Sequence, residues 1–358
     1  MTTPAFDAAL DFPVREPGRV FRGAASFAAG KVPATFKDYG LPGRRSAPFV
    51  RVDAVGPVEV RWRDEFEVLD ENGVPLGRGV CLHPAAPPPE EVKPARRKAL
   101  LERLSRGEEE MLLALAETGG LRGARAEAVE AFCRLTPPQV EALARALEEK
   151  GRVRILNFSP LFLISQGALD FLEGKITAYL TQFHKKHPGQ KGAPMERLEK
   201  RFDAPRSVLF LAIRALGKAG RVGAEGGLVW LADFRIPLSA DDEKILGQLE
   251  EMFLKGEFGA VSIEEIRSRF HLRPGKIDAL LTVLTERKKI VEGRDGYIVH
   301  SRWLDELVKM LRGSGRRELS VADFKAMTGL TRKYAIPLLE LLDEMGVTRR
   351  KGSSREIL

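Results

Sequence analysis

The feature that most constrains the fold is a repeat in the last three quarters of the chain. Four times the sequence runs through a helix, a short second helix, a third amphipathic helix and a basic or apolar strand. The third helices end on similar motifs at Gly151, Gly220, Lys289 and Gly346, which lie 69, 69 and 57 residues apart. A near-regular period with its own secondary structure indicates tandem structural units. The sequence therefore predicts a row of small related domains.

Short strands joined by glycine-containing turns follow the third helices, for example in residues 221–231 and around Asp295-Gly296. Ser320 and Asp323 have the spacing of a capping box, which predicts the start of a helix between them. Three small helices with a terminal hairpin make the winged-helix form of the helix-turn-helix. In that fold the third helix enters a groove of nucleic acid and the hairpin is the wing.

The first 89 residues have a different pattern, with many Gly and Pro residues and alternating strands in residues 49–52 and 58–62. This pattern is typical of a small β-barrel or sandwich, and the proline-rich residues 84–94 are typical of a linker. The predicted fold is α+β. Its predicted domains are a β-barrel-like domain in residues 1–89, followed by four tandem winged helices in residues 90–157, 158–235, 236–300 and 301–358.

The net charge of +8 and the isoelectric point near 9.5 favour a polyanionic partner. The charge is uneven along the chain. Residues 158–235 hold 12 basic and 7 acidic residues, a net charge of +5, and residues 301–358 hold 12 and 8, a net charge of +4. The other predicted domains are neutral, near neutral or negative, so only the second winged helix shares the positive charge of the fourth, and nucleic-acid binding is expected in the fourth.

No catalytic constellation is found in the sequence. Gly30-Lys31 and Gly217-Lys218 do not complete a phosphate-binding loop, and neither cysteine has the spacing of a metal site. His184 and His187 share one helix face but have no third ligand at a matching spacing. We expect no enzymatic activity, no GTPase activity, no cofactor and no metal.

The chain also lacks the long apolar segment of a membrane span and the basic and apolar regions of a signal peptide. We therefore expect a cytoplasmic protein without membrane contact, and we expect it to be a monomer.

The strongest candidate site lies at the start of the last third helix. Arg332, Lys333 and Tyr334 stand where backbone amides and the helix dipole already favour phosphate. The expected core face of this helix is Ala335, Leu338, Leu339, Leu342 and Met345, and Pro337 is expected to kink it.

The wing that follows contributes Arg349 and Arg350, whose side chains alternate between the two faces of a strand.

Other charge runs are interpreted mostly as solvated faces, among them Arg96-Arg97-Lys98 and Arg287-Lys288-Lys289. In the second unit, further lysines and arginines lie in a loop and beside a turn, where they could contact an RNA, the ribosome or nothing. These residues are Lys185, Lys186, Lys191, Lys200, Arg201 and Arg206.

Residues 319–350 resemble the end of the selenocysteine-specific translation elongation factor family, SelB. The resemblance is carried by Arg332-Lys-Tyr-Ala-x-Pro-Leu-Leu-Glu-x-Leu-Asp followed by Gly346-x-Thr-Arg-Arg. It extends more weakly through residues 184–189 and 79–87, and so covers roughly residues 77–358. Four tandem winged helices are the arrangement that the resemblance implies.

In that family the last winged helix binds the selenocysteine insertion hairpin of a messenger RNA, and amino-terminal GTPase domains deliver the charged tRNA. The resemblance implies that Arg332, Lys333, Tyr334, Arg349 and Arg350 contact such a hairpin. No GTPase is expected in this chain, so the ribosome or a separate GTPase subunit are further expected partners. Two alternatives remain open at this stage: a DNA-binding transcription regulator and a protein-interaction scaffold.

Overall fold

The computed structural model describes residues 2–14, 18–40, 48–88, 91–258, 261, 263–293 and 296–358. The chain divides into two compact units. One comprises Met1–Ile176 and Glu199–Leu216, and the other comprises Thr177–Leu198 and Gly217–Leu358. Helices and strands alternate along the chain, so the structure is mixed α and β.

The amino-terminal region is a closed six-stranded antiparallel barrel, which confirms the predicted barrel. Its strands follow the order β1-β4-β3-β2-β5-β6, and β1 closes the barrel by pairing with both β4 and β6. Its interior is filled by aromatic and β-branched side chains such as Phe6, Phe36 and Phe66. The strands are β1 (Thr2–Leu10), β2 (Val20–Phe27), β3 (Gly30–Asp38), β4 (Phe49–Glu59), β5 (Glu65–Leu69) and β6 (Pro75–His83).

Strand β4 corrects the prediction of two separate strands in residues 49–52 and 58–62. The chain stays extended from Phe49 to Glu59, and the register against β1 jumps from Asp53 to Val58. The intervening residues break the side-chain alternation without ending the strand, because an irregularity of this kind inserts unpaired residues into a ladder.

Four helical modules follow the barrel, each with a short second helix and a third helix of 13 residues. The first module has an additional helix at its start. The first module contains α1 (Pro94–Arg106), α2 (Glu108–Thr118), α3 (Ala126–Phe132) and α4 (Pro137–Glu149); the second contains α5 (Gln166–Lys186), α6 (Met195–Arg201) and α7 (Arg206–Lys218); the third contains α8 (Ala240–Lys255), α9 (Ile263–Phe270) and α10 (Pro274–Glu286); the fourth contains α11 (Ser301–Gly313), α12 (Val321–Thr328) and α13 (Arg332–Glu344).

An antiparallel hairpin follows each third helix, as the sequence predicts. In the first, second and fourth modules a short strand before the second helix pairs with the return strand, which makes a three-stranded sheet. The strands are β7 (Ala124–Arg125), β8 (Val153–Phe158) and β9 (Leu161–Ser165); β10 (Ala193–Pro194), β11 (Val222–Glu225) and β12 (Leu228–Leu231); β13 (Ile290–Glu292) and β14 (Ile298–His300); and β15 (Glu318–Ser320), β16 (Thr348–Lys351) and β17 (Ser354–Ile357).

The structure bears on one predicted boundary and one predicted turn in these hairpins. The boundary expected at residue 157 falls inside the first hairpin, because β8 continues to Phe158 and pairs with β9. The turn between β13 and β14 was expected around Asp295-Gly296, and Asp295 lies outside the described residues.

In the second unit, the third and fourth modules are packed on each other. The Trp303 indole of α11 donates to the Leu254 carbonyl at the end of α8, at 2.8 Å. Tyr297 and Val299, from the third module's hairpin region, lie in the same hydrophobic cluster as Leu304 and Leu338. In the described part of the chain no helix is both long and apolar enough to cross a membrane.

In the first unit, a buried ion pair joins the barrel to the first module. Arg97 of α1 contacts Asp7 of β1, and their side chains are 4% and 0% exposed. The Tyr39 hydroxyl donates to the second oxygen of Asp7 at 2.7 Å. Burial lowers the pKa of Arg97 to about 10, so its guanidinium stays charged at neutral pH. Interpreting Arg97 as part of a solvated face was therefore wrong.

This pair predicts a large stability effect. Arg97→Ala should lower the free energy of unfolding of the first unit by about 3–5 kcal/mol, because it leaves the Asp7 carboxylate buried without its counter-charge. Urea unfolding followed by tryptophan fluorescence measures the change.

The exposed neighbour Arg96 provides the control, and Arg96→Ala should change stability little. The double variant Asp7→Asn with Arg97→Met should lose less than Arg97→Ala alone. Equal losses for Arg96→Ala and Arg97→Ala would contradict this role for the pair.

Candidate nucleic-acid interface

The start of α13 has the features of an anion site. Thr331 occupies the N-cap position with extended backbone angles, but its hydroxyl caps no backbone amide. By contrast, Ser320 and Asp323 cap α12 reciprocally, as the sequence predicts. The first amides of α13 therefore have no side-chain partner at the positive end of the helix dipole, where an anion is favoured.

The three predicted helix residues differ in exposure. Arg332 and Lys333 are exposed, whereas Tyr334 is partly buried and packs against the hydrophobic cluster of the fourth module. The Lys333 ammonium lies 5.6 Å from the centroid of the Tyr334 ring. The Tyr334 ring therefore packs between the helix start and the core, and the two cations face solvent.

The buried face of α13 agrees with the prediction except at its end. Ala335, Leu338, Leu339 and Leu342 are buried. Met345 is the helix C-cap and is 46% exposed, so its expected place in the core was wrong.

The wing presents its two predicted arginines to solvent. Arg349 and Arg350 are exposed on β16, which pairs with β17. They are neighbours in an extended strand, so their side chains leave opposite faces. The wing begins beyond Asp343, eleven residues along α13 from Arg332, which corresponds to roughly 16 Å along the helix axis. The cations at the helix start and the cations on the wing thus form two separate groups.

These four cations have no carboxylate partner among the described residues. Their neighbours are neutralised. Arg316 contacts Asp323 at 3.0 Å and Lys351 contacts Glu318 at 3.0 Å. Contact with Glu318 also raises the pKa of Lys351. Arg332, Lys333, Arg349 and Arg350 therefore leave unpaired positive charge at the helix start and on the wing, and Lys309, Arg312, Arg317 and Lys325 leave more elsewhere on the module.

Asp343 links the helix to the wing. Its two oxygens accept hydrogen bonds from the Thr348 hydroxyl at 2.5 Å and from Arg355 Nε at 2.9 Å. Thr348 and Arg355 are buried, and both belong to the hairpin that carries Arg349 and Arg350. Sequence reasoning did not identify Asp343. Two signals were available: Asp343 is an acidic residue among the apolar residues at the end of the helix, and it is the last residue of the motif that begins at Arg332.

The charge runs of the second module are partly neutralised. Lys191 contacts Glu286 at 3.4 Å and lies over the Trp230 ring, and Arg206 contacts Glu199 at 2.9 Å. The other predicted residues of that module are exposed and have no carboxylate partner among the described residues: Lys185, Lys186, Lys200 and Arg201.

The third module has paired cations at the end of its third helix, while Arg267, Arg269, Arg273 and Lys288 are exposed without a carboxylate partner among the described residues. Arg287 forms a bidentate contact with Glu243, and Lys289 contacts Glu250 at 2.9 Å. The pairing agrees with the module's negative net charge and makes the end of this helix a poor surface for a polyanion.

His184 has a packing role in the second unit. Its ring stacks on Phe234 with centroids 3.7 Å apart, and its Nε2 lies 3.2 Å from the Lys191 carbonyl oxygen. Burial lowers the pKa of His184, which favours its neutral form. Across the described residues, no group of three or more potential ligands could hold a metal ion.

The Asp343 contacts predict a defect confined to the wing. Asp343→Ala should lower the free energy of unfolding of the fourth module by roughly 1–3 kcal/mol, because it removes one acceptor from two buried donors. The hydrogen-exchange rates of the β16 and β17 backbone amides should increase in the same variant.

Glu340 provides a matched control, because it is an acidic residue on the same helix without a hydrogen-bonding partner among the described residues. Glu340→Ala should leave wing exchange unchanged. If the two variants exchanged alike, Asp343 would not be holding the wing.

Two parts of the chain match family models, both described as the winged helix of elongation factor SelB. The matches cover residues 177–231, in the second module, and residues 314–357, in the fourth. The second match contains all five predicted site residues.

Curated relatives carry the same name. The chain is 26% identical over 199 residues to the selenocysteine-specific elongation factor of Desulfomicrobium baculatum, a match that covers 54% of this chain and 31% of the relative. It is 26% identical over 193 residues to the Escherichia coli K12 protein, covering 50% of this chain and 29% of that protein. The matches thus span about a third of the length of these relatives.

A crystal structure of bacterial selenocysteine-specific elongation factor EF-Sec aligns with all of this chain and 54% of its own, with a TM-score of 0.53 and 20% identity. This likeness concerns the fold. The family models and the curated relatives confirm the resemblance read from residues 319–350: residues 177–231 and 314–357 of this chain are similar to the winged helix of elongation factor SelB.

Proposed function

We propose that this protein acts in translation by binding a hairpin of messenger RNA through its fourth module. The observation that carries the proposal is the set of four exposed cations without carboxylate partners at the helix start and on the wing. These are the two places where a winged helix contacts its ligand. The SelB match over residues 314–357 supports a selenocysteine insertion hairpin as the ligand.

The chemistry of the site suits RNA. An A-form helix has a deep, narrow major groove that side chains cannot read, so proteins grip its backbone and its unpaired bases. Arg332, Lys333 and the uncapped amides of α13 supply backbone contacts, and Arg349 and Arg350 supply further ones from the wing. Tyr334, whose partly buried ring lies beside Lys333, completes the proposed contact with the hairpin at the helix start.

We propose that all four helical modules are winged helices, since each has a 13-residue third helix followed by a hairpin. In this proposal the first and third modules serve mainly as an arm that carries the RNA-binding module. The role is one of binding rather than catalysis, in the cytoplasm and as a monomer. The ribosome or a separate GTPase subunit would be the partner that couples hairpin binding to elongation.

A titration with two ligands tests the proposal. A bulged RNA hairpin and a DNA duplex of matched length are titrated against the full chain at two salt concentrations by fluorescence anisotropy. The RNA hairpin should bind more tightly. The double variant Arg332→Ala with Lys333→Ala should weaken hairpin binding by at least about tenfold and reduce the salt slope by about 2, because two phosphate contacts are lost.

Arg312→Ala is the control, since Arg312 is an exposed cation of the same module away from the helix start and the wing. It should leave hairpin affinity nearly unchanged. Tighter binding of the DNA duplex would instead favour a transcription regulator. Binding of neither ligand would favour an interaction scaffold.

A further inference from the structure

The third helix of the second module has an outward face of unusual composition. Arg206, Phe210 and Arg214 follow one another at intervals of four residues along α7, so they share one side of the helix. Phe210 is 44% exposed, and the Arg206 guanidinium lies 5.4 Å from its ring centroid. We refer to these three residues as the Phe210 face.

The other third helices differ at the same places. All four have 13 residues, so their first, fifth and ninth positions can be compared directly. The other three helices each carry an acidic residue among these positions, whereas α7 does not. The corresponding residues are Pro137, Glu141 and Arg145 in α4, Pro274, Asp278 and Thr282 in α10, and Arg332, Ile336 and Glu340 in α13.

Arg214 supplies the unpaired charge of the Phe210 face. Arg214 is exposed and has no carboxylate partner in the described part of the chain. Its counterpart Arg145 is held by Glu141 at 2.7 Å. Glu199 contacts Arg206 through Nε at 2.9 Å, and Arg206 nevertheless stays 74% exposed.

Two other exposed phenylalanine rings also lie beside a cation. Phe158 lies under Arg145, the arginine that Glu141 neutralises. Phe171 lies between Asp170 and Glu173 in sequence. Phe210 likewise lies beside a paired arginine, but the unpaired Arg214 follows it one turn further along its own helix.

We infer that the Phe210 face binds an unpaired stretch of RNA. An aromatic ring stacks on any unpaired base, and cations on either side can contact the adjoining phosphates. A duplex fits less well, because its bases are already stacked on each other. A protein partner fits less well too, because a single exposed ring offers little apolar area and the module carries a net charge of +5. This inference extends beyond hairpin binding and does not depend on α13.

The test uses the full chain and a fluorescent oligouridine of about twelve nucleotides, which covers a single-strand site and forms no hairpin. Phe210→Ala and Arg214→Ala should each weaken oligouridine binding by about tenfold. Phe210→Tyr should retain it, because the ring is kept. Cross-links from 4-thiouridine placed in the RNA should map to residues 206–214.

Matched controls separate this face from general charge and from hairpin binding. Arg145→Ala removes a cation from the same position of α4, and Met310→Ala removes an exposed apolar side chain from α11. Both should bind oligouridine like the unaltered chain. Phe210→Ala should leave hairpin affinity intact, and the Arg332→Ala, Lys333→Ala double variant should leave oligouridine affinity intact.

Several results would overturn the inference. One is that Phe210→Ala binds oligouridine as tightly as the unaltered chain, and another is that Arg145→Ala and Arg214→Ala lose equal affinity. Cross-links confined to other residues, or no binding by the unaltered chain at low salt, would also contradict it. Loss of oligouridine binding only in the α13 double variant would also overturn it, while leaving the proposed function intact.

Discussion

Every helical module depends on burying one side of its 13-residue third helix. In α13 this side is formed by Ala335, Leu338, Leu339 and Leu342, all buried in one cluster with Phe324 of α12. Truncating one such leucine typically costs about 2–5 kcal/mol, a large share of the stability of a domain this small. The buried side is therefore tightly constrained, and this constraint produces the repeat seen in the sequence.

The outward side of the third helix carries no such constraint, and the modules use it differently. In α10 the cation Lys276 is held by Asp242 of α8 at 2.6 Å, which also lowers the pKa of Asp242. In α13 the outward cations Arg332 and Lys333 lack carboxylate partners among the described residues. The same fold thus carries a paired cation on the outward side of α10 and unpaired cations, available to a polyanion, on the outward side of α13.

Most features set by local sequence were predicted correctly, and features set by distant contacts were not. The barrel strands, the third helices and the Ser320 capping box follow from patterns within a few residues of each other, although the local pattern placed Met345 in the core and divided β4 in two. The burial of Arg97 depends on Asp7, ninety positions earlier in the chain, so the run it belongs to gave no sign of it. Asp343 was overlooked for the same reason, since its partners Thr348 and Arg355 are fixed only by the hairpin register.

Strand register also decides what the wing can contribute. Thr348 and Arg350 point to the face that meets Asp343, while Arg349 and Lys351 point to the other. Lys351 is already bound to Glu318, so each face of the wing keeps a single unpaired arginine. Two cations on opposite faces cannot both contact one strand of RNA. The helix start places two cations and uncapped amides together, so most of the binding energy should arise there and the wing should orient the ligand.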